Sequence, residues 1–143
     1  MATPPLPTAG YSGKPLVTKL GIKPGMKTAF LNVPDNFFEE VLGPLPEDCV
    51  LLESTEAGGL DFIHVFWSWQ ADMEAVFPNL RDAIHKSGMI WISWPKKAAK
   101  LPGDLNENAI REYGLAIGLV DVKVCAVDER WSGLKFVFRV KDR

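Results

Sequence analysis

The sequence predicts a single α/β domain: a mostly parallel sheet covered on both faces, with an antiparallel last strand. Three observations carry this. Short apolar runs alternate with segments of helical periodicity, the pattern of strands joined by crossover helices. Runs such as "LDFIHVFW" are apolar at successive positions, as strands buried on both faces are. The final two runs, "LVDVKVCAV" and "LKFVFRV", alternate and are separated only by "DERWSG", which makes them a hairpin.

Taken in order, residues 1–14 are rich in Pro, Gly, Ser and Thr and predict a flexible N-terminal arm, with the domain over 15–143. "PLVTKLGI" reads as a short helix with Pro15 at its tolerated start. "MKTAFLNV" is the first strand. Asn36 and Glu39 have the spacing of a capping box, Phe38, Val41 and Leu42 give an apolar helix face, and Gly43-Pro44 ends it. "CVLLE" and "LDFIHVFW" are the next strands. Met73, Val76, Phe77, Leu80 and Ile84 recur at helical spacing, with Gly88 just past the end and Pro78 expected to kink the helix or to start a second one. "MIWISW" is a strand and "PKKAAKLPG" a loop. Asp104 and Glu107 suggest a second capping box for the helix of Ala109, Ile110, Tyr113 and Ile117, closed by Gly118.

With 143 residues, 47% of them apolar, the chain is long enough for one sizeable core. A net charge of −2 gives no overall pull towards nucleic acid, which is therefore not expected as a partner. The charge is unevenly spread: Lys14, Lys19, Lys23 and Lys27 precede the first acid, Asp35. The plainer reading has this basic stretch lying on the acidic body or simply solvated; the sharper one is a surface for a polyanion or an acidic partner, with a nucleic acid on the basic arm as a third and weaker reading. Cys49 and Cys125 stand far apart in apolar runs and read as core thiols of a reducing compartment. No apolar run approaches the ~20 residues that cross a bilayer. The expected setting is cytoplasmic.

Beyond these patterns, "GIKPGMKTAFLNV", "GGLDFIHVF", "LRDAIHKSGMIWISWP" and "AIGLVDVKVCAVDERWSGLKFVFRV" give a layout that resembles a shortened Rossmann-like S-adenosylmethionine-dependent methyltransferase domain. "YSGKPLVTKLGIKPG", "ISWPKKAAKLPGDL" and "GLVDVKVCAVDERWSGLKFVFR" resemble a family of small bacterial proteins classed as a domain of unknown function. That second resemblance implies no activity or cofactor. The first implies a ligand site beyond the carboxyl ends of the strands, where strand order reverses.

The turns expected at that edge supply the candidate ligand-binding residues: Asn32, Asp35, Glu53, Trp67, Trp69, Trp94, Lys96, Lys97 and Trp131. The tryptophans can floor a pocket or simply cap the core; the lysines can hold an anion or be solvated. In the resembled family a glycine-rich turn lets the backbone approach the cofactor. Here that turn is Asn32-Val33-Pro34-Asp35, without glycine. Glu53 matches the family's ribose-binding acid. No catalytic set assembles: His64 reads as a satisfied core histidine, His85 as a helix-end residue, and no metal cluster is apparent. The leading expectation is thus a non-catalytic, cofactor-free binding or regulatory domain for an anionic small molecule or acidic protein partner. The alternative is a methyltransferase with an atypical cofactor turn.

Overall fold

In the computed structural model, residues 15–143 are described; the arm expected over 1–14 lies outside them. The elements are α1 (Leu16–Leu20), β1 (Lys27–Leu31), a π-helix (Phe37–Leu42), β2 (Val50–Leu52), β3 (Leu60–Phe66), α2 (Gln70–Ala83), β4 (Ile84–Pro95), α3 (Glu107–Ala116), β5 (Leu119–Ala126) and β6 (Trp131–Phe138). They form one six-stranded sheet in the order β2-β1-β3-β4-β6-β5. The β2–β1, β1–β3 and β3–β4 pairs are parallel, and β6 is antiparallel to both β4 and β5. The order reverses between β1 and β3. This is the α/β architecture that the sequence predicts.

Alternation along β3 builds two apolar layers from one strand. Ile63, Val65 and Trp67 join the layer under α2 and α3, while Phe62, His64 and Phe66 join the one under α1 and the π-helix. Trp91 on β4 sits in the second layer and donates its indole N–H to the Leu20 carbonyl at 2.8 Å, tying α1 to the sheet. Among the described residues no helix is long and apolar enough to cross a membrane.

Four local expectations are corrected. Asn36 has φ 62°, the left-handed region, so its side chain does not reach the following N–H groups and no capping box forms. The segment after it winds as a six-residue π-helix, with the Gly43 N–H reaching the Phe38 carbonyl. α2 is one helix through Pro78 and ends at Ala83, so Ile84, His85 and Gly88 belong to β4. Gly88 is explained by close packing: a Cβ there would stand 2.9 Å from the Leu60 carbonyl oxygen, beside the register shift in the β3–β4 pair. Finally, Asn106 caps α3, its Oδ1 accepting from the Ala109 N–H at 2.9 Å.

Asp104, freed from capping α3, caps α2. Its Oδ1 accepts the first N–H of that helix, from Gln70, at 2.8 Å, where the N-cap Trp69 has no acceptor to offer. The N–H groups of Asp104 and Leu105 both donate to the Ser68 carbonyl. Gly103 permits this approach, since a Cβ there would lie 2.4 Å from the Ser68 oxygen. The turn leaving β3 is therefore clamped by a loop far away in sequence. Asp104→Ala should lower stability by about 1 kcal/mol, the usual worth of a lost N-cap, as read from urea unfolding. An unchanged midpoint would show that the clamp rests on the Ser68 contacts alone.

Candidate functional site

The carboxyl edge carries two clefts that share one aromatic wall. The first, about 500 Å³, lies between the turn and π-helix after β1 and the β5–β6 hairpin. Asp35, Glu40, Lys96, Arg130 and Trp131 line it, over Pro34 and Phe37. The second, about 540 Å³, lies between the ends of β1 and β3 and the first turns of α2. Asn32, Trp67, Ser68, Trp69, Asp72 and Trp131 line it. Phe66 and Trp131, edge to face at 5.1 Å between ring centres, separate the two.

Local structure explains how these side chains are presented. Asn32 and Asn36 take φ of 56° and 62°, so asparagine supplies at two positions the left-handed backbone that glycine supplies elsewhere. The turn after β1 thus curls tightly without a glycine. The hairpin is fixed by Asp128, whose Oδ1 accepts from the N–H groups of Arg130 and Trp131, each at 2.8 Å. That use occupies the carboxylate in its own turn. The Lys96 N–H donates to the Arg130 carbonyl at 2.8 Å, which joins the end of β4 to the same hairpin.

Of the nine candidates, Asp35, Lys96 and Trp131 meet at the first cleft, and Asn32, Trp67, Trp69 and Trp131 at the second. Trp69 is half exposed, whereas Trp67 is buried against Phe77. Trp94 is buried, and with Lys97 it lines a third cleft, about 620 Å³, beside Leu105–Asn108, which shares no residue with the other two. Glu53 is exposed directly after β2, whose last pair is Leu52 with Ala29 of β1, so the register continues Glu53 opposite Phe30, and it lines neither cleft. Sequence reasoning missed Phe66 and Phe37, because an aromatic inside an apolar run gives no sign of lining an edge.

His64 corrects a further expectation. It is fully buried, and its Nε2 shares a 2.7 Å hydrogen bond with Ser93 Oγ, but Nδ1 has no partner. Phe66 stacks on the ring at 4.4 Å, and Phe30, Phe37 and Phe62 enclose it. Burial among these rings disfavours the charged imidazole and pushes its pKa down to about 3. His85, expected at a helix end, instead lies in β4 and donates from Nε2 to Asp61 Oδ1. Burial pushes the Asp61 carboxyl up, but the hydrogen bonds from His85 and the Lys27 N–H and their positive charges outweigh it, so it lies below its ordinary value. This pair is at the amino end of the strands, away from the clefts. Among the described residues no group of three or more His, Cys, Asp or Glu could hold a metal.

No family model matches the chain, and no curated protein matches it. Solved structures do. A S-adenosylmethionine-dependent methyltransferase from Aquifex aeolicus superposes with a TM-score of 0.60 at 16% identity, over 85% of this chain and 86% of that one. The magnesium protoporphyrin IX methyltransferase of Synechocystis PCC 6803, with S-adenosylhomocysteine bound, gives 0.54 at 11%, over 87% and 78%. Aeropyrum pernix fibrillarin, with natively bound S-adenosylmethionine, gives 0.53 at 12%, over 85% and 73%. At these identities the likeness establishes the methyltransferase-like Rossmann fold. It also overturns the leading expectation of a non-catalytic, cofactor-free domain: the matched scaffolds are those of methyltransferases, two of them carrying cofactor or product, so the catalytic alternative is carried forward.

The buried histidine has a measurable consequence. Because its folded pKa lies below its unfolded value near 6.5, the unfolded chain takes up the proton first, and stability falls as pH drops through the window from 6.5 towards 3. Between pH 6.5 and 4.5 the loss should be about 2–3 kcal/mol. Urea unfolding across this range should reveal it, and His64→Gln should flatten the dependence. Equal slopes in both proteins would contradict the assignment to His64.

Proposed function

We propose that the chain binds S-adenosylmethionine at the carboxyl ends of β1, β2 and β3 and acts as a methyltransferase whose cofactor turn is built with asparagine in place of glycine. The observation that carries this is the left-handed Asn32 turn at the point where strand order reverses, with an exposed Glu53 following the neighbouring strand β2. Left-handed backbone is one of the two features glycine contributes to such turns, the other being close approach, and Asn32 keeps the first.

The donor set fits the cofactor in kind. Glu53 offers acceptors for the ribose hydroxyls, and Asp35 a negative charge for the ammonium and sulfonium groups. Lys96, lining the same cleft as Asp35, offers the counter-charge for the cofactor's carboxylate. A six-residue π-helix is too short to supply a helix-dipole site, so an acidic Asp35 at its start displaces no anion cradle. Trp69 and Trp131 present aromatic faces for a flat group. Bound there, the cofactor supplies a methyl group made electrophilic by the sulfonium. The chain's own part is to orient the acceptor in line with it and to exclude water, which is where much of the rate of such a transfer comes from. Membership of the small bacterial family and a cytoplasmic setting belong to the same proposal, the latter supported by two free, widely separated cysteines.

Calorimetric titration with S-adenosylhomocysteine should give saturable one-to-one binding. Glu53→Ala should weaken it by about 1–3 kcal/mol through lost hydrogen bonds to a charged acceptor. No saturable binding at millimolar ligand would contradict the proposal, and unchanged affinity in Glu53→Ala would remove Glu53 from the site.

A further inference from the structure

Of the lysines that open the sequence, Lys27 lies beside Asp61, whereas Lys19 and Lys23 face the hairpin. Lys19 and Lys23 stand beside Lys123 and Lys135 of the hairpin. Lys123 and Lys135 are themselves directly opposed in the β5–β6 register, an arrangement of like charges that costs stability. The Lys123 ammonium donates to the Lys19 carbonyl at 3.1 Å, and that of Lys19 to the Ala126 carbonyl at 3.1 Å. Lys135 Nζ reaches within 3.8 Å of where a side chain on Gly21 would begin. Burial, and then the charges of Lys123 and Lys23, hold Lys135 below the usual lysine range. Further along the same face, burial raises the Cys125 thiol while the positive charges of Lys19, Lys123 and Lys96 pull it down, which places Lys96 in the same field.

The carbonyls ending α1 call for a cation, but a five-residue helix needs only one. No carboxylate of the described residues forms an ion pair with Lys23, Lys96, Lys123 or Lys135. The charge is therefore concentrated on one face of a molecule whose total is −2, a feature the total conceals. At the far end of that face stands Trp131, half-buried and on the same side of β6 as Lys135, four residues or about 13 Å away. There Lys96 and Arg130 share the cleft with Asp35, Glu40, Asp128 and Glu129, so the unmixed positive charge is that of Lys19, Lys23, Lys123 and Lys135.

We propose that this face, the lysine row of α1 and the β5–β6 hairpin ending at Trp131, is a track for single-stranded nucleic acid. The lysines follow the phosphates, and Trp131 offers a stacking face for a base at the carboxyl edge. An acidic peptide would use the charges but would have no need of the ring. The track shares Trp131 with the cofactor clefts, but Lys19, Lys23, Lys123 and Lys135 line neither cleft, so its lysine variants leave the cofactor residues in place.

The test is fluorescence anisotropy with a fluorescein-labelled oligouridylate over about 50–300 mM salt. Three to four neutralised phosphates should give a log–log salt slope of roughly −2 to −3, at ~0.7 per phosphate on a single strand. Lys123→Gln and Lys135→Gln should each lower affinity and reduce the slope by about 0.7. Each should leave the melting temperature unchanged or raise it, since a like-charge pair is relieved. Trp131→Ala should weaken binding by roughly fivefold or more with the slope retained, and Trp131→Phe should restore it. Absence of binding at the lowest salt, or an unchanged slope in the Lys123→Gln/Lys135→Gln double variant, would overturn the proposal. Binding of polyglutamate equal to that of the oligonucleotide, with Trp131→Ala without effect, would assign the face to an acidic protein and overturn it equally.

Discussion

The constraint on which the rest of the structure depends is the burial of β3 on both faces. Leu60 and the run from Phe62 to Phe66 are all buried. A strand without a wet face needs an apolar layer on each side. One is supplied by α2 and α3, the other by α1 and the π-helix. Its flanking strands, β1 and β4, are both parallel to it and reached by crossovers, and the loops of both layers converge at its carboxyl end. That convergence makes the two clefts, and Phe66, the last residue of the strand, borders one of them and packs on Trp131, which borders both.

The same burial explains the least comfortable group in the molecule. His64 points to the α1 side, where Phe30, Phe37, Phe62 and Phe66 surround its ring and Ser93 shares its one hydrogen bond. Leaving Nδ1 unpartnered costs free energy, which the surrounding ring contacts must offset. The Ser68–Gln70 turn shows how a loop can be fixed from a distance: Asp104 and Leu105 hold it by three hydrogen bonds and Gly103 permits their approach, so Trp69 is presented from an anchored backbone.

Much of this could be read from the sequence, and the failures have physical causes. Apolar runs and helical periodicity located the strands and helices because burial on one or both faces leaves that imprint. The end of α2 was misread because Ile84 continues the helical period while also being a buried strand residue; the period does not distinguish them. The two capping boxes failed differently. Asn36 adopts the left-handed backbone that asparagine tolerates, and Asp104 is taken by a helix elsewhere in the chain, a contact that no local spacing reports. For the site, the sequence identified the carboxyl-edge residues but read the missing glycines as a lost cradle. It could not show that Asn32 keeps the left-handed backbone. Nor could a net charge reveal that four lysines from two distant segments share a face.

The central claim is that the asparagine-built turn and the end of β2 receive S-adenosylmethionine. Amide chemical-shift mapping with S-adenosylhomocysteine tests it most directly, since it reports location as well as binding. The account expects saturable shifts confined to Asn32, Val33, Asp35, Asn36, Glu53, Ser68, Trp69, Lys96 and Trp131, with the amides of Lys123 and Lys135 unmoved. Shifts centred on the lysine face, or none at millimolar ligand, would contradict it.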